Sequence, residues 1–561
     1  MTDRAPRVGR GNGTFSRWVP LAAALLLTTG AVAAAPDAGH ASAARSPSTS
    51  AVPAESTPPA DLDAYAARAM KTFGAPGMAI AIVDGNKVTT RSYGVRKLGS
   101  PARVDAHTTF PIGSNTKAFT STALAILVDE GKLHWNDRVV DRLPGFRMYD
   151  AYASQNMTIT DLLVHRSGLS LGEGDLMVFP DTNRTRAELV HSIRYLKPAT
   201  SFREGFAYDN VLYSAAGQLV QAVSGQPWEA FVKQHIFEPL GMRDAAVAYD
   251  AQGQDRAAAH ARISGATRGM GPQAVLPTDG VTSPIAPAGA ICASADDMAR
   301  WLQVQLAQGD MGNGRRLFSA EQSRVLWTPV TIVPIRPAPK PIIATTPDFA
   351  EYALGFFITD YRGHKIITHS GGVLGGLSEV VIIPDKHVAF AAMINSEDGG
   401  ALQAVFYHLL DHYLDAPSTD WIARYRQLVD QRHAIASKAL QTQQTKMHPG
   451  SGPSLPLKAY TGIYRDPWYG TMTISDVQGK LRIRFDRSPG MEGALEHAQY
   501  DTFKTHWSDR DIEDAYVTFD LNPDGTIATV RMKPVSPTAD FSWDYQDLHF
   551  VPAGMAGDAI P

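Results

Sequence analysis

Cysteine, clusters of basic residues and long apolar runs are nearly absent from this chain. Its 561 residues include one cysteine, Cys292, so no disulfide can form within the chain. Lys and Arg number 52 against 56 Asp and Glu, a formal net charge of −4, without a basic cluster. This disfavours nucleic acid, and we expect none as a partner, because phosphate binding needs clustered Lys and Arg. A composition of 44% hydrophobic and 19% charged residues is typical of soluble globular proteins.

The first 35 residues predict a signal peptide. Four arginines precede an apolar run at 18–29, and small residues at 31–33 suit a signal peptidase. The run is shorter than the ~20 residues of a membrane-spanning helix, and an uncleaved anchor is the alternative. We expect an exported protein, periplasmic or secreted, that contacts a membrane only if this segment is retained. Its oligomeric state is left open by the sequence.

The part of the chain from 61 to 416 has the pattern of one α+β domain. A disordered Ala/Ser/Pro-rich linker is predicted at 36–60, because it lacks apolar periodicity. A hairpin is predicted at 78–93, a mostly helical stretch at 107–350, and strands again at 365–369, 377–383 and 387–394. This order predicts one antiparallel sheet assembled from both ends of the domain around a large helical insertion.

A second domain is predicted beyond residue 452. A helix and linker occupy 417–452, with Trp421, Tyr425, Leu428, Val429 and Ile435 on one stripe. The segment "HPGSGPSLP" at 448–456 breaks any regular structure. Short alternating runs over 453–553 then predict a small antiparallel β-barrel. Trp468 and Tyr469 belong to its core or form a binding patch.

Chemistry is indicated first by "PIGSNTKAFTSTALA", residues 111–125. Ser114 and Lys117 lie three residues apart where a helix begins, so their side chains share one face. The helix N-terminus favours negative charge on Ser114, and the lysine offers a nearby charge. The alternative is a Ser114 that only caps the helix and a solvated Lys117, because S-x-x-K is frequent by chance.

Two further segments follow in an order that identifies a family. Tyr208-Asp209-Asn210 opens a predicted helix, and His369-Ser370-Gly371 lies at the end of a predicted strand. S-x-x-K, then Y-x-N, then a basic residue before x-Gly resembles the serine β-lactamase and penicillin-binding protein superfamily, most closely its class C β-lactamase branch. The flanks "TITDLLVHRSGL", "FVKQHIFEPLGM" and "ICASADDMARWL" resemble it too, over residues 61–414.

The resemblance implies the β-lactamase/DD-peptidase-like fold and a role for each motif residue. Ser114 would be acylated, Lys117 would help to take its proton, and Tyr208 would be the base or the proton shuttle. Asn210, His369 and Ser370 would bind substrate. The backbone N–H groups of Ser114 and Gly372 would form the oxyanion hole. No metal or cofactor is implied.

Lys117 is expected to lower the pKa of Tyr208. A base near neutrality needs a shift of about three pKa units, or about 4 kcal/mol, and one cation at ~4 Å supplies about that energy. The acidic Asp209 would oppose this shift, so we expect it to point away from the site. His369 replaces the lysine that is usual in the family's third motif and is largely neutral at pH 7, which would weaken the binding of anionic substrates.

Other candidate sites and functions are weaker. The segment His165-Arg166-Ser167 is expected to be a structural loop beside the site, and His408 with His412 lacks a third metal ligand. The leading hypothesis is an exported serine hydrolase that acts on an ester, an amide or a D-amino-acid peptide bond. The alternatives are a penicillin-binding or sensing module that turns over poorly and a catalytically dead scaffold.

Overall fold

The predicted hairpin near the N-terminus joins strands from the far end of the first domain. The computed structural model describes residues 57–247, 255–277 and 283–554, so the predicted signal peptide and nearly all of the predicted linker lie outside the described residues. One eight-stranded antiparallel sheet has, in spatial order, the strands Thr331–Ile332, Ala350–Tyr352, Phe357–Tyr361, His364–Val373, Gly376–Ile383, Val388–Ile394, Gly77–Asp84 and Lys87–Gly94. The prediction of a sheet built from both ends of the domain is confirmed.

The inner strands are buried on both faces, which explains their continuous apolar sequences. Gly77–Asp84, Gly376–Ile383 and Val388–Ile394 are buried at every residue. Helices therefore cover both sides of the sheet. Helix Gly399–Tyr413 packs on one face together with Leu62–Phe73, and helix Ala295–Leu306 packs on the other.

The helical insertion carries most of the remaining structure of the first domain. Its helices are Thr116–Asp129, Val139–Arg142, Ala151–Asn156, Ile159–Leu163, Arg186–Ser192, Val211–Ser224, Trp228–Val232, Glu238–Leu240, Ala286–Gly289, Ala295–Leu306 and Ala320–Leu326. Its short strands are Phe110–Pro111, Ala246–Val247, Ile291–Ala293, His260–Ala261, Ala274–Val275, Asp310–Gly312 and Arg315–Arg316. Ser294 and Asp297 form a capping box at the start of Ala295–Leu306. Cys292 is a buried side chain.

A long helix leads from the first domain to the second. Helix Trp421–Lys446 buries Trp421, Tyr425 and Leu428 against the first domain, as its stripe predicts. Ile435 departs from the prediction, since it is 47% exposed and Ala436 is buried instead. The apolar stripe therefore ends after Val429, and the helix continues as a largely solvent-facing connector.

The second domain is a closed antiparallel barrel. Its eight strands are Gly462–Asp466, Gly470–Val477, Lys480–Phe485, Glu492–Gln499, Thr502–Trp507, Ala515–Leu521, Ile527–Pro534 and His549–Pro552. Alternate residues point inward, and aromatic side chains fill much of the interior. Trp468 and Tyr469 are both buried there, which assigns them to the core rather than to a binding patch.

Candidate active site

Ser114 and Lys117 meet at the start of the central helix of the insertion. Ser114 is in the 3₁₀ turn Gly113–Asn115, which leads directly into helix Thr116–Asp129. Lys117 is fully buried, and its Nζ donates a hydrogen bond to Ser114 Oγ at 3.0 Å. The N-cap of this helix is Asn115, not Ser114. Both parts of the alternative, a capping serine and a solvated lysine, are therefore wrong.

The ammonium group of Lys117 is enclosed by acceptors and aromatic rings. Its Nζ also donates to Asn210 Oδ1 at 2.7 Å and to the Ala288 carbonyl at 3.0 Å. It lies 4.7 Å from the centroid of the Tyr208 ring and 5.1 Å from that of Tyr213. Burial lowers the pKa of Lys117 to about 7. The shift makes this lysine far easier to deprotonate than an exposed one.

Tyr208 carries a hydroxyl that is buried beside Ser114. Within the described residues this hydroxyl has no well-formed hydrogen bond, although the Ser114 hydroxyl is near enough to favour its charged form. Burial nevertheless raises the pKa of Tyr208 well above its ordinary value. The expected lowering by Lys117 is therefore wrong, because the cost of desolvating a phenolate exceeds what this lysine supplies.

Asp209 turns its carboxylate toward the loop that contains His165 and Ser167. Ser167 Oγ donates to Asp209 Oδ2 at 3.1 Å, and the Asp209 backbone N–H donates to His165 Nδ1 at 3.2 Å. Burial raises the pKa of Asp209 to about 7. The residue bonds away from Tyr208, yet its charge still contributes to the raised pKa of that tyrosine. Ser167 thus supports the loop, as expected.

His369 lies beneath the site with both ring nitrogens engaged. It is 2% exposed, and its Nδ1 donates to the Ser370 carbonyl at 2.6 Å. Its Nε2 accepts from the buried Tyr352 hydroxyl at 3.0 Å. A carbonyl can only accept, so this assigns the ring hydrogen to Nδ1. Burial lowers the pKa of His369 to about 3, which leaves it neutral and without a free donor for a substrate carboxylate.

Ser370 is placed differently from the other predicted substrate-binding residues. In the ladder it pairs with Glu379, whereas His369 pairs with Val380. Successive side chains of a strand point to opposite faces of the sheet. The Ser370 side chain is therefore directed to the face of Glu379, which bonds to helix Gly399–Tyr413, and its role in substrate binding stays a prediction.

The turn that contains Ser114 lies against the strand that contains Gly372, the other predicted oxyanion donor. A Cβ added to Gly113 would lie 2.6 Å from the Gly372 nitrogen, and one added to Gly371 would lie 1.9 Å from the Ile112 carbonyl oxygen. The turn that contains Ser114 therefore packs directly against strand His364–Val373 without room for side chains. Ser378 of the next strand, Gly376–Ile383, holds the turn from the other side, because its Oγ accepts from Asn115 Nδ2 at 2.8 Å and donates to the Ile112 carbonyl at 2.7 Å.

Asp175 is a site residue that no sequence pattern indicated. Its carboxylate is fully buried and accepts from Asn210 Nδ2 at 2.8 Å. The same oxygen accepts from Ser542 Oγ of the barrel domain at 2.8 Å. Asp175 begins the short 3₁₀ turn Asp175–Met177, which carries no motif, and Ser542 is 367 positions away along the chain. Only the tertiary contact could identify either residue.

The histidine pair considered as a metal site is not arranged as one. His408 Nε2 is 3.0 Å from Asp61 Oδ1, and His412 Nε2 is 2.8 Å from the Thr57 carbonyl oxygen. Across residues 57–247, 255–277 and 283–554, no group of three or more His, Cys, Asp and Glu could hold a metal ion. None of the helices in these ranges has the length and apolarity needed to cross a membrane.

Comparisons with known proteins divide the chain into the same two parts. The Beta-lactamase family model matches residues 62–413, and the model of a domain of unknown function, DUF3471, matches residues 446–552. Unguisins hydrolase ungD of Aspergillus violaceofuscus is 30% identical over 464 residues, which cover 76% of this chain and 79% of that protein. The D-alanyl-D-alanine-carboxypeptidase/endopeptidase AmpH of Escherichia coli strain K12 is 27% identical over 347 residues, which cover 60% of this chain and 83% of that protein.

Among solved structures, the octameric penicillin-binding protein homologue from Pyrococcus abyssi has a TM-score of 0.54 at 21% identity. The match covers 88% of this chain and 99% of that one, so the likeness in fold extends over both domains. A family match to more than half of the chain, with hydrolases among the relatives, agrees with the geometry around Ser114. The chain belongs to the Beta-lactamase family of serine hydrolases and carries an additional C-terminal β-barrel domain.

Proposed function

We propose that this protein hydrolyses a peptide or related amide bond through an acyl-enzyme on Ser114. The observation that carries the proposal is the 3.0 Å hydrogen bond between Ser114 Oγ and the fully buried Nζ of Lys117. A buried amine with a pKa near 7 can accept the serine proton at neutral pH. Lys117 is fully buried, so water does not compete with Ser114 for its Nζ.

In the proposed first step, Ser114 Oγ attacks the substrate carbonyl carbon while its proton passes to Lys117 Nζ. The carbonyl oxygen takes up the negative charge and is stabilised by the backbone N–H groups of Ser114 and Gly372. Tyr208 keeps its proton near neutrality because its pKa is raised, so it serves as a donor toward the leaving nitrogen rather than as a phenolate base. It is then reprotonated from Lys117.

In the second step, water attacks the acyl carbon and releases the acid from Ser114. Lys117 takes the proton of the attacking water, and that proton returns to Ser114 Oγ as the acyl bond breaks. Asn210 has one N–H bonded to Asp175, so the other N–H of the same amide is assigned to a substrate carbonyl. His369 shapes the floor of the site, since both of its nitrogens are engaged.

The substrate class is proposed from the relatives. One is named as a hydrolase of unguisins and another as a D-alanyl-D-alanine carboxypeptidase and endopeptidase. A neutral His369 in place of a lysine favours substrates that do not depend on a carboxylate contact at that position. We therefore propose amide bonds next to D-residues as the first substrate class and esters as the second.

Export is proposed from the N-terminal sequence, with its arginines, apolar run and small residues. N-terminal sequencing of the protein isolated from the producing cell tests this part. A mature chain that still begins at Met1 in the cytoplasm would contradict it.

The catalytic proposal is tested by intact-mass spectrometry with a panel of D-alanyl peptides, D-amino-acid amides, penicillins and short-chain esters. A transient adduct on the wild type identifies the acyl group, and its loss in Ser114→Ala assigns the nucleophile. Ser167→Ala is the matched control, because this buried serine bonds to the Asp209 carboxylate and the Leu169 backbone, which take no part in the proposed chemistry.

The three hypotheses give different kinetics. Sustained turnover supports a hydrolase, and a stable adduct with one equivalent released supports a binding or sensing module. An adduct that persists in Ser114→Ala, or no reaction with any class of substrate, would reject the proposal.

A further inference from the structure

The loop between the last two barrel strands is seated on the active-site region of the first domain. This loop follows Ile527–Pro534 and precedes His549–Pro552. The Asp544 carboxylate accepts from the backbone N–H groups of Gly174 and Leu176, both at 2.8 Å. Phe541 of the same loop packs edge-on against the Tyr208 ring, with centroids 6.1 Å apart. The barrel therefore contacts both the catalytic tyrosine and the loop that carries Asp175.

A continuous series of hydrogen bonds runs from this barrel loop to the nucleophile. Ser542 Oγ and Asn210 Nδ2 both donate to Asp175 Oδ2 at 2.8 Å. Asn210 Oδ1 in turn accepts from Lys117 Nζ at 2.7 Å, and Lys117 donates to Ser114 at 3.0 Å. Because an amide has one accepting and one donating end, Asp175 determines which end of Asn210 faces Lys117. The orientation of Asn210 thus depends on a carboxylate that the barrel helps to hold.

We propose that Asp175 and Ser542 are positioning residues for Lys117, so that docking of the barrel domain sets the protonation and orientation of the Ser114–Lys117 pair. This inference rests on the proposed function of Ser114 and Lys117. Asp175 acts by holding Asn210 in place and by placing negative charge near the lysine. Ser542 acts by supplying, from the second domain, a donor that stabilises that negative charge.

The charges around the pair agree with this assignment. Burial is the larger effect on Asp175 and raises its pKa to about 7, while the Ser542 and Asn210 donors favour its charged form. Asp175 and Asp209 in turn raise the pKa of Lys117 against the effect of burial. The titratable groups around Lys117 and Asp175 are Asp209, His165, His369, Tyr208, Tyr213, Asp540 and Asp544. Both histidines are neutral, so Asp175 and Asp209 are the nearby carboxylates that favour the ammonium form.

The direction of the effect on the pH profile follows from these charges. Asp175→Asn keeps a hydrogen-bond acceptor for Asn210 but removes the charge, so Lys117 becomes a weaker base with a lower pKa. Ser542→Ala removes one hydrogen-bond donor from the Asp175 carboxylate and so raises the pKa of Asp175. It lowers the pKa of Lys117 by less than Asp175→Asn does. The rising limb of the acylation rate against pH should therefore move to lower pH, by about one unit in Asp175→Asn and by less in Ser542→Ala.

The experiment measures pre-steady-state acylation between pH 5 and 9 for the wild type, both variants and Asn183→Ala. Asn183 donates from Nδ2 to the Asp486 carbonyl at 3.0 Å, so its replacement removes one hydrogen bond between the domains outside the series. We expect the acylation rate of Asn183→Ala to rise over the same pH range as that of the wild type. A second readout is an NMR titration of ¹³Cε-labelled lysine, in which Lys117 is assigned by the resonance missing from Lys117→Met.

The NMR titration requires no substrate, so it separates failure of this inference from failure of the proposed function. A shifted Lys117 titration in both variants supports the inference even if no substrate is turned over. An unchanged titration in folded Asp175→Asn and Ser542→Ala overturns it, even if the wild type forms an acyl-enzyme. A lower acylation rate without a shift in its pH dependence would likewise reject the inference, because losing a merely structural contact lowers the rate without changing the pKa of Lys117.

Discussion

At the scale of single residues, Lys117 has two possible roles. It could stabilise negative charge on its neighbours, or it could accept a proton from Ser114. A lysine that only stabilised neighbouring anions would keep its own proton. Instead, its Nζ is fully buried among Ser114, Asn210 and the Ala288 carbonyl, and burial lowers its pKa to about 7. Tyr208 responds to the same burial in the opposite sense, since its charged form is the deprotonated one. The same loss of solvent therefore favours the lysine as the base and the tyrosine as the donor.

Lys117→Arg tests this division of labour. The substitution keeps the positive charge but replaces the amine with a group that does not lose its proton in proteins. We expect the acylation rate to fall by about 10²–10⁴, the range for loss of general-base catalysis. In the wild type the rate should rise with pH through about 7 and then level off.

Lys117→Met is the companion variant, because it fits the buried site without a charge. Both variants should lose the rising limb of the pH profile while circular dichroism confirms folding. An arginine variant with the wild-type rate would show that charge alone is sufficient and would remove Lys117 as the base.

At the scale of the secondary-structure elements, strand Gly376–Ile383 connects the site to the opposite face of the sheet. Ser378 on this strand holds the turn of Ser114, whereas Glu379 points to helix Gly399–Tyr413 and accepts from Gln403 Nε2 at 2.9 Å. Burial raises the pKa of Glu379 to about 8. This acid is therefore neutral through the acid range and becomes a buried charge as the pH rises.

Glu379→Gln tests the cost of that charge. An acid whose pKa is raised on folding reduces stability as the pH rises from its unfolded value, 4.5, through its folded value. The glutamine does not titrate, so the variant should gain about 4 kcal/mol of unfolding free energy relative to the wild type between pH 5 and pH 9. Urea unfolding at the two pH values measures this difference.

Glu321→Gln is the matched control, since Glu321 is 70% exposed and replacing an exposed side chain should change the free energy of unfolding by no more than about 0.5 kcal/mol. A Glu379→Gln variant that lost stability equally at both pH values would contradict the prediction. Acylation by Glu379→Gln should be preserved, because the side chain lies on the face of the sheet away from Lys117.

For the whole molecule, the important interaction is the docking of the barrel on the hydrolase domain. Arg268 forms a two-bond ion pair with Glu397, at 2.8 and 2.6 Å, and donates to the Asp511 carbonyl of the barrel at 3.0 Å. Glu397 also accepts from the Gly375 backbone at 2.9 Å, close to strand His364–Val373. One arginine thus links a loop of the insertion, the strand that carries Gly372, and the second domain.

Arg268→Gln should destabilise the folded protein by about 3–5 kcal/mol, because it leaves a largely buried Glu397 without its counter-charge. Arg531→Gln breaks a two-bond pair with Asp520 of similar geometry, but the two side chains are 56% and 39% exposed. Its cost should be at most about 1 kcal/mol. Equal losses in urea or thermal unfolding would show that burial of the Arg268 pair is unimportant.

The sequence by itself determined the local and periodic features of this protein. Alternating and continuous apolar runs predicted the sheet strands and the barrel, because burial on one or both faces leaves a direct pattern in the chain. The capping box at Ser294 and the spacing of Ser114 and Lys117 were also visible, since both are contacts between residues three apart. Ile435 marks the limit of such patterns, as periodicity alone does not show where a helix leaves its partner.

The tertiary structure decided what depends on contacts between distant residues and on burial. Asp175 and Ser542 are far apart along the chain, and their shared oxygen with Asn210 leaves no trace in either local sequence. The directions of the Lys117, Tyr208 and His369 pKa shifts depend on how completely water is excluded, which motif spacing does not specify. The motifs therefore indicated which residues meet, and the packing of two domains around them determined how their protons are distributed.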